Sequence, residues 1–101
     1  MSAALRQVLW YLIAGTRGGV NRARIIEAIH ERPRNAHQIS EALDLDYRTI
    51  RHHLDLLEKN GLITRPIGDA YASPYFLSAF FESNYGAFVE IRRGSRANRD
   101  D

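Results

Sequence analysis

The sequence predicts an α+β domain that is mainly helical, and two patterns support this prediction. Apolar residues recur at helical spacing through the first 60 positions, and helix-capping residues separate the successive groups. After Gly61 the pattern changes to two short extended runs on either side of Gly68-Asp69. A chain of 101 residues suffices for one domain with a modest core.

The composition, with 45% hydrophobic and 26% charged residues, is typical of a folded soluble domain. Cysteine is absent, which excludes disulfides and thiolate metal sites and agrees with an expected cytoplasmic location. The longest apolar run, residues 8–14, is too short to span a bilayer, so we expect no membrane partner.

Two helices are predicted before Pro33, separated by a flexible glycine-rich joint at residues 15–19. An apolar face at helical spacing predicts the first helix over residues 1–15. Its members are Leu5, Val8, Leu9, Leu12 and Ile13. The second helix should begin at the N-cap Asn21 and end at Pro33, because the residue before a proline avoids helical geometry.

Two more helices should follow, each with its own capping residue. Asn35, with Gln38 three positions later, has capping-box spacing and should begin a short helix. After a tight link, Asp46 should cap a longer helix that ends at Asn60-Gly61. Because successive helical residues turn by about 100°, apolar side chains fall opposite the basic ones on this longer helix. The apolar side chains are Ile50, Leu54 and Leu57.

The rest of the chain predicts a hairpin, a last helix and a polar tail. Strands are expected over residues 63–67 and 71–77, and they should meet at the Gly68-Asp69 turn. Ser78 should cap a helix over residues 78–92, and residues 93–101 are expected to form a flexible tail.

This order of elements predicts a winged helix-turn-helix over residues 20–77, with additional N- and C-terminal helices. In such domains the N-terminal part of the recognition helix contacts base edges in the major groove. Arginine suits guanine, and histidine, threonine and tyrosine can bond to bases, sugars or phosphates. The alternative is that these are ordinary solvated residues of a surface helix. The candidate contacts are Tyr47, Arg48, Thr49, Arg51 and His52. The next residue, His53, lies nearer the core side, where a packed, hydrogen-bonded ring is expected.

Three arginines outside the recognition helix are further candidates for DNA contact. Arg65 lies in the predicted wing, within reach of a minor groove or phosphates. Arg22 and Arg24 lie in the first turn of their helix, where cations oppose the helix dipole. A bound phosphate would relieve that conflict, and ordinary surface placement is the alternative.

Residues 35–63 resemble the winged helix-turn-helix of ArsR-type transcriptional regulators, especially archaeal members. The resemblance is carried by Thr49, by His53-Leu54 and by the ending LEKNGL at residues 57–62. The upstream run GTRGGVNRARIIEAI, residues 15–29, is also similar to archaeal relatives. The resemblance implies a homodimer that binds double-stranded operator DNA and represses transcription. Metal-sensing relatives use cysteine or His/Asp/Glu clusters, and none is recognisable here, so no metal or other cofactor is expected.

The resemblance also implies that dimer contacts come from the terminal helices. The corresponding residues are Leu5, Val8, Leu9 and Leu12 in the first helix and Phe81, Tyr85 and Phe88 in the last. The alternative is that these two apolar faces complete the core of a single subunit.

The sequence therefore predicts a sequence-specific DNA-binding transcription regulator, a repressor that acts as a homodimer. The alternative is a winged-helix protein-interaction module in a transcription or chromatin assembly. The low net charge of +2 and the acidic balance of residues 35–60 favour that alternative. An enzyme is not expected, because paired carboxylates, a nucleophile with its base, and a phosphate-binding glycine loop are not recognisable in the sequence.

Overall fold

The predicted fold class is confirmed in a computed structural model, which describes residues 3–68 and 72–100, with side chains up to residue 95. Helices form most of the domain, and the sheet of the described residues has two antiparallel strands. The elements are α1 (Ala3–Leu9), a π-helical segment (Trp10–Ala14), α2 (Gly19–Glu31), α3 (Ala36–Leu43), α4 (Tyr47–Lys59), β1 (Ile63–Thr64), β2 (Phe76–Leu77), α5 (Ala79–Ser83) and α6 (Tyr85–Asp100).

The glycine-rich joint before α2 is a tight packing contact, and the prediction of a flexible joint was wrong. A Cβ atom built on Gly19 would lie 1.7 Å from the carbonyl oxygen of Ile13, so two backbone segments touch at this position. The predicted N-cap Asn21 was also wrong. Helix α2 begins two residues earlier, with Gly18 as an N-cap that provides no side-chain hydrogen bond.

The capping signals of α3 and α4 are confirmed. The Gln38 amide donates to Asn35 Oδ1 over 2.8 Å, and the Asn35 amide donates to Gln38 Oε1 over 2.9 Å, which completes the capping box. The link to α4 turns through Asp44, whose φ of 54° lies in the left-handed region. Asp46 then accepts a hydrogen bond of 3.1 Å from the Thr49 amide and fixes the start of α4.

The wing is anchored at its base by two pairs of strand residues. Ile63 lies opposite Leu77, and both strands are shorter than predicted. One reason is Pro66, which has no amide hydrogen to donate to a ladder. Of the predicted turn, Gly68 is described with a φ of 108°, whereas Asp69 and the predicted strand residue at position 71 lie outside the described residues.

The C-terminal region forms two helices, where the sequence predicted one helix and a tail. Ser78 caps α5 as predicted, since its hydroxyl accepts from the Phe81 amide over 3.2 Å. The helix ends at Asn84, and α6 then runs to Asp100. The predicted end at residue 92 was therefore wrong. Ion pairs hold α6 against the body of the domain: Arg92 lies 3.3 Å from Glu27, and Glu90 lies 2.8 Å from Arg6.

The apolar faces of the terminal helices lie inside the subunit. Each of the strongly buried members of the predicted dimer interface is less than 5% exposed, so the domain core already covers these side chains. They are Leu5, Leu9, Leu12, Phe81 and Phe88. Val8 and Tyr85 are half-buried and pack against the same core. The prediction that these residues form a dimer interface was wrong for the buried five, and the alternative of core completion is correct.

Substituting alanine at two glycines tests the tight contact before α2. Gly19→Ala should lower the free energy of unfolding by at least about 3 kcal/mol, because its new Cβ would overlap the Ile13 carbonyl. Gly94→Ala, inside α6 with open space where the new Cβ would lie, should raise it by about 1 kcal/mol. Urea denaturation followed by circular dichroism measures both. Equal stability of the two variants would contradict this description of the joint.

Candidate nucleic-acid interface

Helix α4 presents its predicted polar face to solvent. Tyr47, Arg48 and His52 are exposed, and Thr49 is partly exposed on the first turn. The opposite face, formed by the three apolar residues predicted for it, is fully buried in the core. The four polar side chains therefore lie together on one accessible surface at the N-terminal part of α4, which we call the outer face of α4.

Arg48 has its guanidinium group available for a ligand. The side chain is exposed, and among the side chains described, those of residues 3–68 and 72–95, it has no hydrogen-bond or ion-pair partner. A guanidinium group presents forked N–H donors that match the O6 and N7 acceptors of guanine or the oxygens of a phosphate. Arg48 is therefore the side chain of this surface whose donors are least committed to the protein itself.

Arg51 lies beside Arg48 on α4 but is held by two internal partners. Its Nη1 donates to the hydroxyl of Tyr75 over 2.9 Å, and its Nη2 lies 3.5 Å from the carboxylate of Asp55. The Arg51 side chain is 34% exposed, so its guanidinium group is oriented by these partners and still accessible to solvent.

Arg22 is buried, and the prediction that it contacts DNA was wrong. It is 5% exposed, and its guanidinium group faces the interior. Nε donates to the Leu12 carbonyl oxygen over 2.7 Å, and Nη2 donates to the hydroxyl of Thr16. These acceptors, together with His53, relieve the conflict with the helix dipole that the sequence assigned to a bound phosphate.

His53 links this buried arginine to α4, and its expected packed environment is confirmed. Its Nδ1 lies 3.2 Å from Nη1 of Arg22. Because a guanidinium group only donates, Nδ1 is the acceptor and the neutral ring carries its proton on Nε2. Burial lowers the pKa of His53, and the charges of Arg22 and His52 lower it further. Gly18 permits this contact, since a Cβ there would lie 2.6 Å from Nη1 of Arg22.

Arg65 and Arg24 are also used inside the subunit. Arg65 is only 14% exposed, lies over the ring of Tyr75 at 4.9 Å and is 3.3 Å from Glu58 of α4. The prediction that it extends from the wing towards DNA was therefore wrong. Arg24 is partly buried and donates to the Leu43 carbonyl oxygen over 3.1 Å, which joins α2 to the end of α3.

Sequence reasoning missed Tyr75, which joins the wing to α4. The residue is 1% exposed, its amide donates to the Arg34 carbonyl oxygen over 2.8 Å, and its hydroxyl accepts from Arg51. Nothing in the local pattern distinguishes this tyrosine from the others, because its partners lie 24 and 41 positions away.

Metal-binding clusters and membrane-spanning helices are not found in the part of the chain that the structure describes. That part contains no group of three or more His, Asp or Glu side chains arranged to hold a metal ion. None of its helices has the length and apolar character needed to cross a membrane.

Comparisons with known proteins relate the helix-turn-helix segment to transcription regulators. Residues 19–65 match the model of the arsR family of bacterial regulatory proteins. No curated protein matches the chain. Among solved structures, the transcriptional regulator SlyA is similar, with a TM-score of 0.65 and 19% identity over 95% of this chain and 70% of that chain. At this identity the similarity concerns the fold, and it agrees with a winged helix whose flanking helices belong to the same unit.

The lowered pKa of His53 predicts an acid-sensitive domain. The unfolded chain binds more protons than the folded one between the folded-state pKa and the ordinary value of 6.5, so stability should fall as pH falls below 6.5. His53→Gln should remove this part of the pH dependence. His37→Gln, which alters an exposed ring paired with Glu41, should keep it. Urea denaturation between pH 5 and pH 8 measures the difference, and identical pH profiles of the two variants would refute the assignment.

Proposed function

We propose that the protein is a sequence-specific transcription regulator that binds double-stranded DNA with α4 in the major groove. The observation that carries this proposal is Arg48, an exposed arginine on the outer face of α4 with no internal partner among the described residues. The match of residues 19–65 to a family of regulatory proteins supports it independently. A repressor role, an archaeal origin and a cytoplasmic location remain predictions from the sequence.

The mechanism assigns different tasks to the side chains of the outer face. Arg48 would contact a guanine with its two forked donors, which is a base-specific interaction. Tyr47, Thr49 and His52 would bind phosphate or sugar oxygens and fix the helix in the groove. Because Asp46 caps the first turn of α4, the backbone that carries these groups is ordered before DNA arrives.

The inward orientation of Arg22 and Arg65 has a consequence for affinity. Each phosphate neutralised by a cation adds about 0.9 to the slope of log affinity against log salt concentration. With three of the eight candidate contacts, Arg22, Arg65 and Arg24, bonded inside the subunit, non-specific binding should be weak and specificity should depend mainly on α4. This distribution favours a regulator that selects its site over a general DNA-coating protein.

The proposal includes a homodimer, with the interface on exposed aromatic side chains rather than on the buried ones. Trp10 and Tyr11 are adjacent on the π-helical segment and are 61% and 60% exposed. Large apolar side chains exposed next to each other are typical of interaction sites. A second copy is the expected partner, because two-fold symmetric dimers place two recognition helices about one DNA turn apart.

Replacing Arg48 tests the role of α4. Arg48→Ala should weaken binding to a duplex selected by the native protein from a randomised library by about tenfold or more, through loss of a base contact. Arg93→Ala removes the same charge from an exposed site on α6 and should change affinity less than about twofold. Fluorescence anisotropy at several salt concentrations measures both. Equal losses for the two variants would contradict the assignment of α4 as the recognition helix.

The library selection and the salt dependence of binding also distinguish the regulator from the alternative function. A winged-helix module for protein contacts should select no sequence from the library, and its weak retention on DNA should change little with salt. A native protein with that behaviour would favour the protein-interaction module over the regulator.

Exchanging the exposed aromatic pair tests the dimer. Sedimentation equilibrium should give the native protein twice the chain mass of 11.6 kDa. Combined Trp10→Ser and Tyr11→Ser substitutions should give a monomer, whereas Ile67→Ser, at a wing residue that is 71% exposed, should leave a dimer. A native protein that sediments as a monomer, or an aromatic variant that remains dimeric, would overturn this part of the proposal.

A further inference from the structure

The hydroxyl of Tyr75 is held in a fixed position, because the side chain is buried and the residue contacts both Arg34 and Arg65. Its backbone amide donates to the Arg34 carbonyl oxygen over 2.8 Å, which ties the wing to the segment between α2 and α3. Its ring lies 4.9 Å from the guanidinium carbon of Arg65, and Arg65 is in turn 3.3 Å from Glu58 of α4. With only 1% of its surface exposed, the side chain has little room to change rotamer.

This fixed hydroxyl accepts a hydrogen bond from the side chain of Arg51. The distance from Nη1 to the hydroxyl oxygen is 2.9 Å, and Asp55 holds Nη2 of the same guanidinium group at 3.5 Å. An arginine side chain on a helix surface otherwise samples many rotamers, and ordering it costs conformational entropy. Two partners from different elements therefore order Arg51 before any ligand binds.

The ordered guanidinium group still faces solvent. Arg51 keeps 34% of its side-chain exposure, and the bonds to Tyr75 and Asp55 use only part of its five N–H donors. Burial raises the pKa of Tyr75, so its hydroxyl stays protonated near neutral pH and the contact is a hydrogen bond rather than an ion pair. The contact with Tyr75 therefore orients the guanidinium group without adding a negative charge to it.

We propose that Tyr75 is a positioning residue that determines specificity, because its hydroxyl holds Arg51 in the orientation in which Arg51 reads one base pair. This inference rests on the proposed function of α4 as a recognition helix. Arg48, which has no such partner among the described residues, contacts DNA by adapting its rotamer, whereas Arg51 is preorganised. The two arginines then differ in how strictly they select a base, and the base that contacts Arg51 is selected more strictly than the base that contacts Arg48.

Removing the hydroxyl alone tests this role. Tyr75→Phe keeps the ring that packs under Arg65 and deletes the acceptor of Arg51. Selection from a randomised duplex library, with sequencing of the bound fraction, should show that the native protein prefers guanine at one position that Arg51→Ala ignores. In Tyr75→Phe the preference at that position should fall by about fivefold or more, and binding to a random duplex should stay unchanged.

A double variant separates positioning from a purely structural role. If Tyr75 acts through Arg51, then Tyr75→Phe should change nothing further in the Arg51→Ala background, because the group that it positions is absent. A loss of equal size in both backgrounds, or a general loss at every base position, would show a structural role and overturn the inference.

The outcomes also separate this inference from the proposed function. A native protein that selects no sequence overturns both. A native protein that selects a site which Tyr75→Phe selects equally strictly overturns the positioning role alone. Tighter binding by Tyr75→Phe than by the native protein also overturns it, since Tyr75 would then withhold Arg51 from DNA.

Discussion

Burial of Ile50, Leu54 and Leu57 fixes the rotation of α4, and the rest of the proposed interface depends on that rotation. All three side chains are fully buried, and each contributes about 1.5–3 kcal/mol relative to an exposed position. An exposed ion pair such as Arg51–Asp55 contributes about 0–1 kcal/mol. The apolar face therefore decides which side chains point outward, and the polar contacts refine their orientation.

The arginines of this chain serve two purposes that the fold keeps apart. Arg22 bonds to the Leu12 carbonyl, to Thr16 in the joint before α2 and to His53 of α4, so it ties α4 to the joint. Arg65 covers the ring of Tyr75 and ties the wing to Glu58. A buried cation is tolerated only where its donors are satisfied, as they are for Arg22. Arg48 serves the other purpose, since its donors face solvent and remain available for a ligand.

Local signals allowed the sequence to predict α3 and α4 well. The caps at Asn35 and Asp46 depend on residues three positions away, and the buried face of α4 follows from helical spacing alone. The extent of α6 was not predictable in this way, because the polar composition of its end is typical of a loose tail. Ion pairs with α1 and α2, which the local pattern does not show, hold this helix to the domain.

The partners of the arginines were not predictable, because they lie far away in sequence. Arg22 meets His53 across 31 positions, and Arg51 meets Tyr75 across 24. The terminal helices show the same limit in another form. An apolar stripe such as that of Leu5 and Leu9 indicates that the helix packs against another surface. It does not indicate whether that surface belongs to the same subunit or to another.

Whether the outer face of α4 receives DNA can be tested by mapping backbone amide chemical shifts while a short duplex is added to the labelled protein. We expect the largest changes to cluster at residues 47–52, the segment of α4 that carries that face, with smaller changes on α6. Shifts concentrated around Trp10 and α6, with the amides of residues 47–52 unmoved by the duplex, would contradict a recognition role for α4.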